Sequence, residues 1–361
     1  MTVQPLQSVA NIYAVATAYP KYVMRQADVA AKAAHIFGHK PDYFRRMEKA
    51  YGNAGVETRH SCVPLDWYLA PHGWPERTAL YEEHSIALLQ EAAAACMDSV
   101  NVSAEEIGAT VVVSSTGIAT PSLDSLIQGP LGLKPTVQRL PIFGLGCAGG
   151  VIGLSRAAAL ANSMRDQWVL FLCVELCGLT FRASDDSKAN LIGTAIFGDG
   201  AAAILVKTDG EGGVDEYVPV ATIDAWGEHT WPNSRAMMGW RVEEDGLGVV
   251  FSHDIPNAVR KELRPVTDAF LARYGLDLGN LDGVLCHPGG EKVLAALEGA
   301  LDLGDDALVH ARTVLRDRGN MSAVTVLAVL EQAIQSREKG RHLMTALGPG
   351  FTAGMTLLNL L

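Results

Sequence analysis

Short, uninterrupted apolar runs rich in β-branched residues are the feature of this sequence that most constrains its fold. Three of them lie at residues 110–114, 169–174 and 201–206, and Ala- and Leu-rich helical patterns occur between them. Strands that are apolar throughout, without polar alternation, are typical of sheets covered by helices on both faces. The alternation of such strands with helices therefore predicts an α/β protein with largely buried strands.

The composition limits the size of the core and the kinds of partner. Of the 361 residues, 48% are hydrophobic and 19% are charged, so the chain can bury a large core and form two domain-sized halves. The formal net charge is -11 and Lys and Arg form no block, so we expect no nucleic-acid surface. No apolar run reaches the roughly 18 residues of a membrane span, so we expect none.

The six cysteines are scattered along the chain, at positions 62, 96, 147, 173, 177 and 286. They lack the Cys/His spacing of a zinc site, and the surroundings of Cys173 are typical of a strand, so we expect no bound metal. Residues 1–20 lack a charged segment followed by an apolar one, so we expect no secretion signal. Reduced thiols in a cytoplasmic protein fit this pattern best.

A Gly- and Asp-rich stretch at residues 208–215 is the clearest linker by composition. It predicts two domains, residues 1–208 and residues 209–361. In the first, a strand that ends at Val113 precedes a helix after Cys147; in the second, a strand that ends at Cys286 precedes a helix after Asn320. This common plan indicates a diverged duplication.

Cys147 lies in the segment that is most informative about chemistry, residues 143–151. A Gly-Leu-Gly turn leads to the cysteine, and small residues after it open a helical pattern. The thiol is thereby placed at a helix N-terminus, where unpaired backbone N–H groups favour thiolate over thiol. A buried cysteine packed as a small hydrophobe is the alternative for any single cysteine.

Two later segments favour the catalytic interpretation. His287 follows an apolar, strand-like run, and Asn320 precedes a helical run at residues 324–334. Cysteine, histidine and an amide donor, each at the end of a strand or the start of a helix, can form a nucleophile–base pair with an oxyanion donor. A structural histidine and a simple helix cap are the alternatives for His287 and Asn320.

These segments and several others occur in the order found in one known family. The chain resembles the type III polyketide synthases, the chalcone synthase-like family of thiolase-fold condensing enzymes, and the likeness covers nearly the whole chain. The similar segments are Gly146-Cys147-Ala148-Gly149-Gly150, Thr180-Phe181-Arg182, residues 195–201, His287-Pro288-Gly289-Gly290, Gly319-Asn320-Met321-Ser322 and Gly348-Pro349-Gly350-Phe351.

The resemblance implies a fold and a set of catalytic roles. The fold would be the five-layered αβαβα thiolase fold, with the site between the two similar halves. Cys147 would carry the acyl chain, while His287 and Asn320 would hold the thioester carbonyl of malonyl-CoA and stabilise the enolate formed on decarboxylation. Phe197 would stand beside the nucleophile as a gate, and Phe251 is a second gate candidate.

The resemblance also implies the positions that surround the substrate. They are Ser115, Thr120, Glu175, Cys177, Thr180 and Gly239. Several are small, so we expect room for an aliphatic chain. At Thr120 plant chalcone synthase has a methionine that projects into the cavity of the partner subunit, which implies a homodimer. The stretch around Gly239 resembles bacterial members of the family.

Acyl-CoA is anionic, and an acidic protein needs a local basic patch to bind it. The best candidates are Arg46 and Lys49, with Arg59 nearby; a solvated helix face is the alternative. The resemblance implies acyl-CoA and malonyl-CoA as substrates, with no cofactor and no metal. The phosphate-binding motif G-x-x-x-x-G-K-[ST] does not occur in the sequence.

The sequence thus predicts a bacterial type III polyketide synthase that extends an acyl-CoA starter with malonyl-CoA and cyclises the product. We expect a fatty acyl starter and an alkylpyrone or alkylresorcinol-type product. A malonyl-primed tetrahydroxynaphthalene or phloroglucinol synthase is the first alternative. A β-ketoacyl-ACP synthase III is disfavoured by the residues after His287, and a non-catalytic acyl-binding scaffold by the joint presence of Cys147, His287 and Asn320.

Overall fold

The structure of the protein is a computed structural model, and it describes residues 4, 9–39, 48–210 and 217–361. The strands of this part are β1 (Ala10–Ala18), β2 (Tyr22–Arg25), β3 (Thr58–Ser61), β4 (Ile107–Val113), β5 (Gln138–Ile142), β6 (Trp168–Leu176), β7 (Asp199–Lys207), β8 (Ala221–Thr230), β9 (Met238–Val242), β10 (Leu247–Phe251), β11 (Gly283–Cys286), β12 (Gly340–Gly348) and β13 (Thr352–Leu360).

The helices alternate with these strands along the chain. They are α1 (Gln26–Ile36), α2 (Trp74–Ser99), α3 (Leu123–Leu126), α4 (Gln128–Leu131), α5 (Gly149–Ser163), α6 (Lys188–Ile196), α7 (Ile255–Ala258), α8 (Arg264–Ala272), α9 (Glu291–Leu301), α10 (Val309–Arg318) and α11 (Ala323–Gln335). No helix in the described ranges combines the length and the apolar composition needed to cross a membrane.

The three apolar runs of the sequence are the centres of β4, β6 and β7. Every residue of β4 and β6 is buried, and so is all of β7 except its last residue. Helices cover both faces of these strands, so no alternating polar face is needed. The predicted α/β architecture is therefore confirmed.

Two similar halves contribute to one sheet. Its strand order is β5-β4-β6-β7-β1-β8-β13-β12-β11. In the first half β4 is parallel to β6, and β7 is antiparallel to both β6 and β1. The second half repeats this pattern, because β11 is parallel to β12 and β13 is antiparallel to both β12 and β8. A short antiparallel pairing of β1 with β8 joins the halves. The topology is that of a duplicated unit.

The helices complete five layers. Helices α5 and α11 pack against each other and against strands of both halves, so they form the central layer. Helix α2 packs on the outer face of β1, β6 and β7. On the outer face of the second half, Phe270 and Leu271 of α8 pack with Ala225, Leu343 and Met355. This is the layered arrangement that the resemblance implies.

Glycines allow the N-termini of the two central helices to touch. A Cβ atom at Gly150 would lie 2.3 Å from the carbonyl oxygen of Ala323, and one at Gly149 would lie 2.7 Å from Cγ1 of Val113. Only glycine fits contacts this close. Since Cys147 precedes α5 and Asn320 precedes α11, this packing brings the two predicted catalytic residues together.

Candidate active site

Cys147 lies in a single 3-10 turn, Gly146–Ala148, directly before α5. Gly146 has φ +47°, and a Cβ atom on it would lie 2.6 Å from Cδ of Pro349. The turn between β12 and β13 therefore packs against the turn that carries the nucleophile. The Cys147 side chain is largely buried, with 9% of the residue exposed.

His287 follows β11 and is fixed by its backbone. Its N–H donates to the carbonyl oxygen of Thr345 at 2.9 Å. Neither ring nitrogen has a hydrogen-bond partner within the described ranges, although the ring is buried. Burial lowers the pKa of His287 to about 3, so the free imidazole is neutral. Both nitrogens are left available for substrate and for the thiol.

Asn320 is completely buried and is held by four hydrogen bonds. Its backbone N–H donates to Ile196 O at 2.7 Å, and its carbonyl accepts from Gly198 N at 3.0 Å. Its side-chain oxygen accepts from Ser322 N at 2.8 Å, and Nδ2 donates to Gly289 O at 3.3 Å. The side-chain oxygen thus stabilises the turn before α11 but is not the helix cap, because Ser322 is the N-cap residue. The second N–H of Nδ2 is free for an oxyanion.

The three residues border one space, which we name the catalytic chamber. Cys147, His287 and Asn320 line it together with Met238 and Phe251. It continues along β9 and β10, past residues that include Cys177, Phe197, Gly239, Trp240, Val249 and Ser322. Cys147 and its neighbours come from the first half and His287 and Asn320 from the second, so the chamber lies between the halves.

The charge state of the thiol differs from the sequence-based expectation for an isolated helix N-terminus. Burial raises the pKa of the Cys147 thiol to about 12, against a smaller lowering from a hydrogen bond with the Ser322 hydroxyl. A lone thiolate is thus disfavoured in the chamber. Transfer of the proton to His287 would create an ion pair without net charge, so we propose that this pair, and not the helix terminus alone, holds the thiolate.

Glu175 and Ser115 lie behind the nucleophile and not in the wall of the chamber. Ser115 N donates to Glu175 Oε2 at 3.0 Å, and the Ser115 hydroxyl accepts from Gly146 N at 3.0 Å. Burial raises the pKa of Glu175 to about 7. These two side chains support the turn of Cys147, and their contact with substrate stays a prediction.

A second cavity adjoins the chamber. Cys177, Phe197 and Val249 border both spaces. The cavity runs between α1 and α6, past Ala33 and Gly193, and holds about 590 Å³ of empty space, part of it open to solvent. We name it the side channel. Most of its inner surface is apolar, although Lys32, Arg59 and Asn190 also border it, so it suits a hydrocarbon chain.

The other predicted residues are distributed around these spaces. Thr180 lines the side channel, and its hydroxyl donates to Cys177 O at 2.7 Å. Gly239 lies in β9 at φ +155° and borders the chamber. Thr120 is exposed in the loop after β4 and is not among the residues that line the chamber of its own chain.

The basic patch predicted for CoA is only partly described. Arg46 lies outside the described residues, and Lys49 is exposed. The expectation that Arg59 adds to this patch is wrong, because only 4% of the residue is exposed and its guanidinium is engaged by buried groups. A cation in this position cannot reach a solvated diphosphate.

Sequence reasoning did not single out Ser322, Val249 or the residues of α1. Ser322 has φ +49°, a value rare outside glycine, and its hydroxyl is bonded to the thiol. The position of Ser322, two residues after Asn320, could have indicated that it lies near the site. Val249 and Ala33 carried no local signal, since their role depends on contacts between distant segments.

Comparison with known proteins decides the family. Residues 2–210 match the profile described as chalcone and stilbene synthases, N-terminal domain, and residues 225–361 match the corresponding C-terminal domain. The chain belongs to the chalcone and stilbene synthase family. The chain is therefore a type III polyketide synthase, an acyltransferase of a family that uses acyl-CoA and malonyl-CoA.

Relatives of the synthase include proteins with different product names. A 1,3,6,8-tetrahydroxynaphthalene synthase of Streptomyces peucetius subsp. caesius is 36% identical, over 96% of this chain and 92% of that protein. The alpha-pyrone synthesis polyketide synthase-like Pks18 of Mycobacterium tuberculosis is 27% identical, over 99% and 92%. The structure of PKS-I from the brown alga Ectocarpus siliculosus covers both chains fully at a TM-score of 0.90 and 23% identity, which agrees with the thiolase-like fold.

Proposed function

We propose that the synthase takes a fatty acyl-CoA starter and forms an alkylpyrone or alkylresorcinol-type product. The observation that carries this proposal is the side channel, an apolar space that shares Cys177 and Phe197 with the chamber of the nucleophile. An acyl group on Cys147 can extend its tail into this space. Burial of each methylene contributes about 0.8 kcal/mol, so an apolar channel favours long chains.

In the proposed reaction, residues 1–208 and residues 209–361 act as two domains of one catalytic unit. The Cys147 sulfur attacks the starter thioester as its proton passes to His287, and CoA leaves with a proton. Malonyl-CoA then loses CO2, and its enolate oxygen accepts hydrogen bonds from His287 and Asn320. The carbanion attacks the acyl carbon, the Cys147 thiolate leaves, and CoA carries the longer chain.

Contacts to CoA follow from its charge. We propose that Arg46 and Lys49 bind its phosphates, since Lys49 is an exposed cation on a chain of net charge -11. Because CoA itself carries the intermediates, the proposed chemistry uses no group other than the two thioesters and the side chains of the chamber.

We also propose that the synthase is a homodimer. Strand β5 is an edge strand with four exposed residues in a row, among them Leu140, and Phe143 directly after it is 59% exposed. Exposed apolar side chains on an open sheet edge favour pairing with a second copy. The exposed Thr120, in the loop after the neighbouring β4, is then available to the partner.

A second candidate is a malonyl-primed tetrahydroxynaphthalene synthase. It is favoured by the 36% identity to the Streptomyces protein of that name. In this case the side channel would hold the growing polyketide and not a starter tail.

Acyl-CoAs from acetyl- to palmitoyl-CoA, each with malonyl-CoA, test the proposal when products are identified by mass. We expect long starters to give the highest kcat/KM. A wild-type enzyme that is primed only by malonyl-CoA would establish the second candidate instead. Cys147→Ala is the matched control: it should form no polyketide from any starter but still release CO2. Trapping of radiolabelled acyl-CoA on Cys147 separates an enzyme from an acyl-binding scaffold.

A further inference from the structure

Arg59 is a buried cation close to the chamber, and the reaction as described gives it no role. It lies in β3 and is 4% exposed. Its hydrogen bonds go to neutral oxygens: Nη1 donates to Thr194 O at 2.7 Å and to Phe197 O at 3.2 Å, and Nη2 donates to Ala195 O at 3.0 Å and to Gln26 Oε1. A buried guanidinium is costly unless such bonds are made.

Three of these acceptors form the C-terminal end of α6. Carbonyls at a helix C-terminus lack partners within the helix and carry negative partial charge, so a cation there is favourable. Phe197 follows this end directly, and its ring stands between the chamber and the side channel. A Cβ atom on Gly193 would lie 3.0 Å from the Phe197 ring, so the ring rests on the helix that Arg59 fixes.

The fourth acceptor, Gln26, links α1, the opposite wall of the side channel, to the C-terminal end of α6. Gln26 begins α1, and its Nε2 also donates to Ala195 O at 3.0 Å. Helix α1 contributes Val29, Ala33 and Ile36 to the channel wall. Arg59 therefore holds both helices between which the channel runs.

The same unit reaches Asn320. The segment after α6 pairs with Asn320 through the two backbone hydrogen bonds at Ile196 and Gly198. A Cβ atom at Gly198 would lie 2.3 Å from Arg318 O and 3.3 Å from Cβ of Arg59, so the segments touch without space between them. A shift of the end of α6 must therefore move the oxyanion donor.

We propose that Arg59 is a positioning residue that sets the width of the side channel, the place of the Phe197 ring and the place of Asn320. The part concerning chain length rests on the proposed fatty acyl starter; the part concerning Asn320 does not. Arg59 borders the side channel, but its guanidinium is engaged by the four acceptors named above, so its effect passes through Phe197, Gln26 and Asn320.

Two assays on Arg59→Met test this. The methionine keeps an apolar stem and loses all five donors, which removes a hydrogen bond from each of three carbonyls at the end of α6. We expect the ratio of kcat/KM for dodecanoyl-CoA over acetyl-CoA to fall about tenfold, and malonyl-CoA decarboxylation without starter to fall about tenfold or more. Arg59→Lys, which keeps the charge but not the forked geometry, should lie between Arg59→Met and wild type.

Tyr13→Phe is the matched control, because it deletes a buried polar contact, to Asp209, at a distance from the chamber. It should lower Tm but leave both readouts within about twofold of wild type. Should Arg59→Met not fold, Gln26→Met tests the channel and Arg59→Lys tests decarboxylation. Folded Arg59 variants that match Tyr13→Phe in both assays would refute the positioning role. A wild type that rejects dodecanoyl-CoA refutes the starter proposal alone, and the decarboxylation assay still decides the role of Arg59.

Discussion

The thiol of Cys147 and the imidazole of His287 are each disfavoured as lone charges in the chamber. Burial raises the pKa of the thiol to about 12 and lowers the pKa of the imidazole to about 3. A proton that moves from the thiol to the imidazole would form a thiolate–imidazolium ion pair with no net charge. We therefore propose that His287 is the partner that makes a nucleophilic thiolate possible at neutral pH.

His287→Ala should therefore raise the apparent pKa of Cys147, since the thiolate then has no counter-charge. Iodoacetamide alkylation, located by mass spectrometry, reports the thiolate fraction against pH. We expect wild type to react at a rate that levels off below pH ~8.5, the value of a free thiol. In the variant the rate should be lower at pH 7 and still rise at pH 9. Identical profiles would assign activation to the helix terminus alone.

Asn320→Ala should lose decarboxylation but keep starter loading. Removal of one oxyanion donor typically costs on the order of 10²–10³ in rate. CO2 release from malonyl-CoA and acyl transfer to Cys147 are measured separately. Because the Asn320 side chain also accepts from Ser322 N, circular dichroism must first show an intact fold. Normal decarboxylation with lost loading would contradict the assigned role.

Glu175 gives the fold a pH dependence with a definite sign. Burial raises its folded-state pKa to about 7, above its ordinary value of 4.5, so the folded chain binds the proton more tightly than the unfolded chain. This contribution to stability is present at low pH and is lost as pH rises from about 4.5 to about 7. Tm of wild type should fall relative to Glu175→Gln between pH 5 and pH ~8. A constant difference over this range would mean that Glu175 is ionised in the fold.

Among the elements, those built from local patterns were predictable and those built from distant contacts were not. Local sequence patterns predict the buried runs of β4, β6 and β7 and the helices after Cys147 and Asn320. The side channel depends on α1 lying against α6, more than 150 residues away, which no local pattern encodes. The hydrogen bonds of Glu175 and Ser115 behind Cys147 also depend on tertiary contacts, which a family position does not give.

Helix α1 offers a direct test of the side channel. Ala33 is buried and lines the channel, while Ala34, the next residue, is exposed. Ala33→Leu should fill the channel and lower kcat/KM for long acyl-CoAs while sparing acetyl-CoA, because a packed interior yields only at a cost. Ala34→Leu makes the same chemical change outside the channel and should alter neither. An equal loss for all chain lengths in Ala33→Leu would indicate misfolding.

For the molecule as a whole, the testable consequence is its assembly. Phe143→Asp places a charge beside the open edge of β5, where a second copy would pack. We expect the variant to sediment as a monomer at concentrations at which wild type is a dimer. Val242→Asp, a change at a residue that is 72% exposed on β9, is the control and should remain a dimer. A wild type that sediments as a monomer would refute the dimer.

The two ends of the strand order differ, and this limits how far such a chain can associate. The order begins at the exposed β5, which has no counterpart in the described part of the second half, and ends at β11, whose last three residues are buried. A chain whose sheet was open to pairing at both edges could add copies without limit and form fibres. If each molecule has one open edge, two molecules that pair through these edges leave no edge for a third. A closed twofold dimer is then the final assembly. In the proposed dimer, the difference between the two ends of the sheet would therefore protect the protein against filament growth.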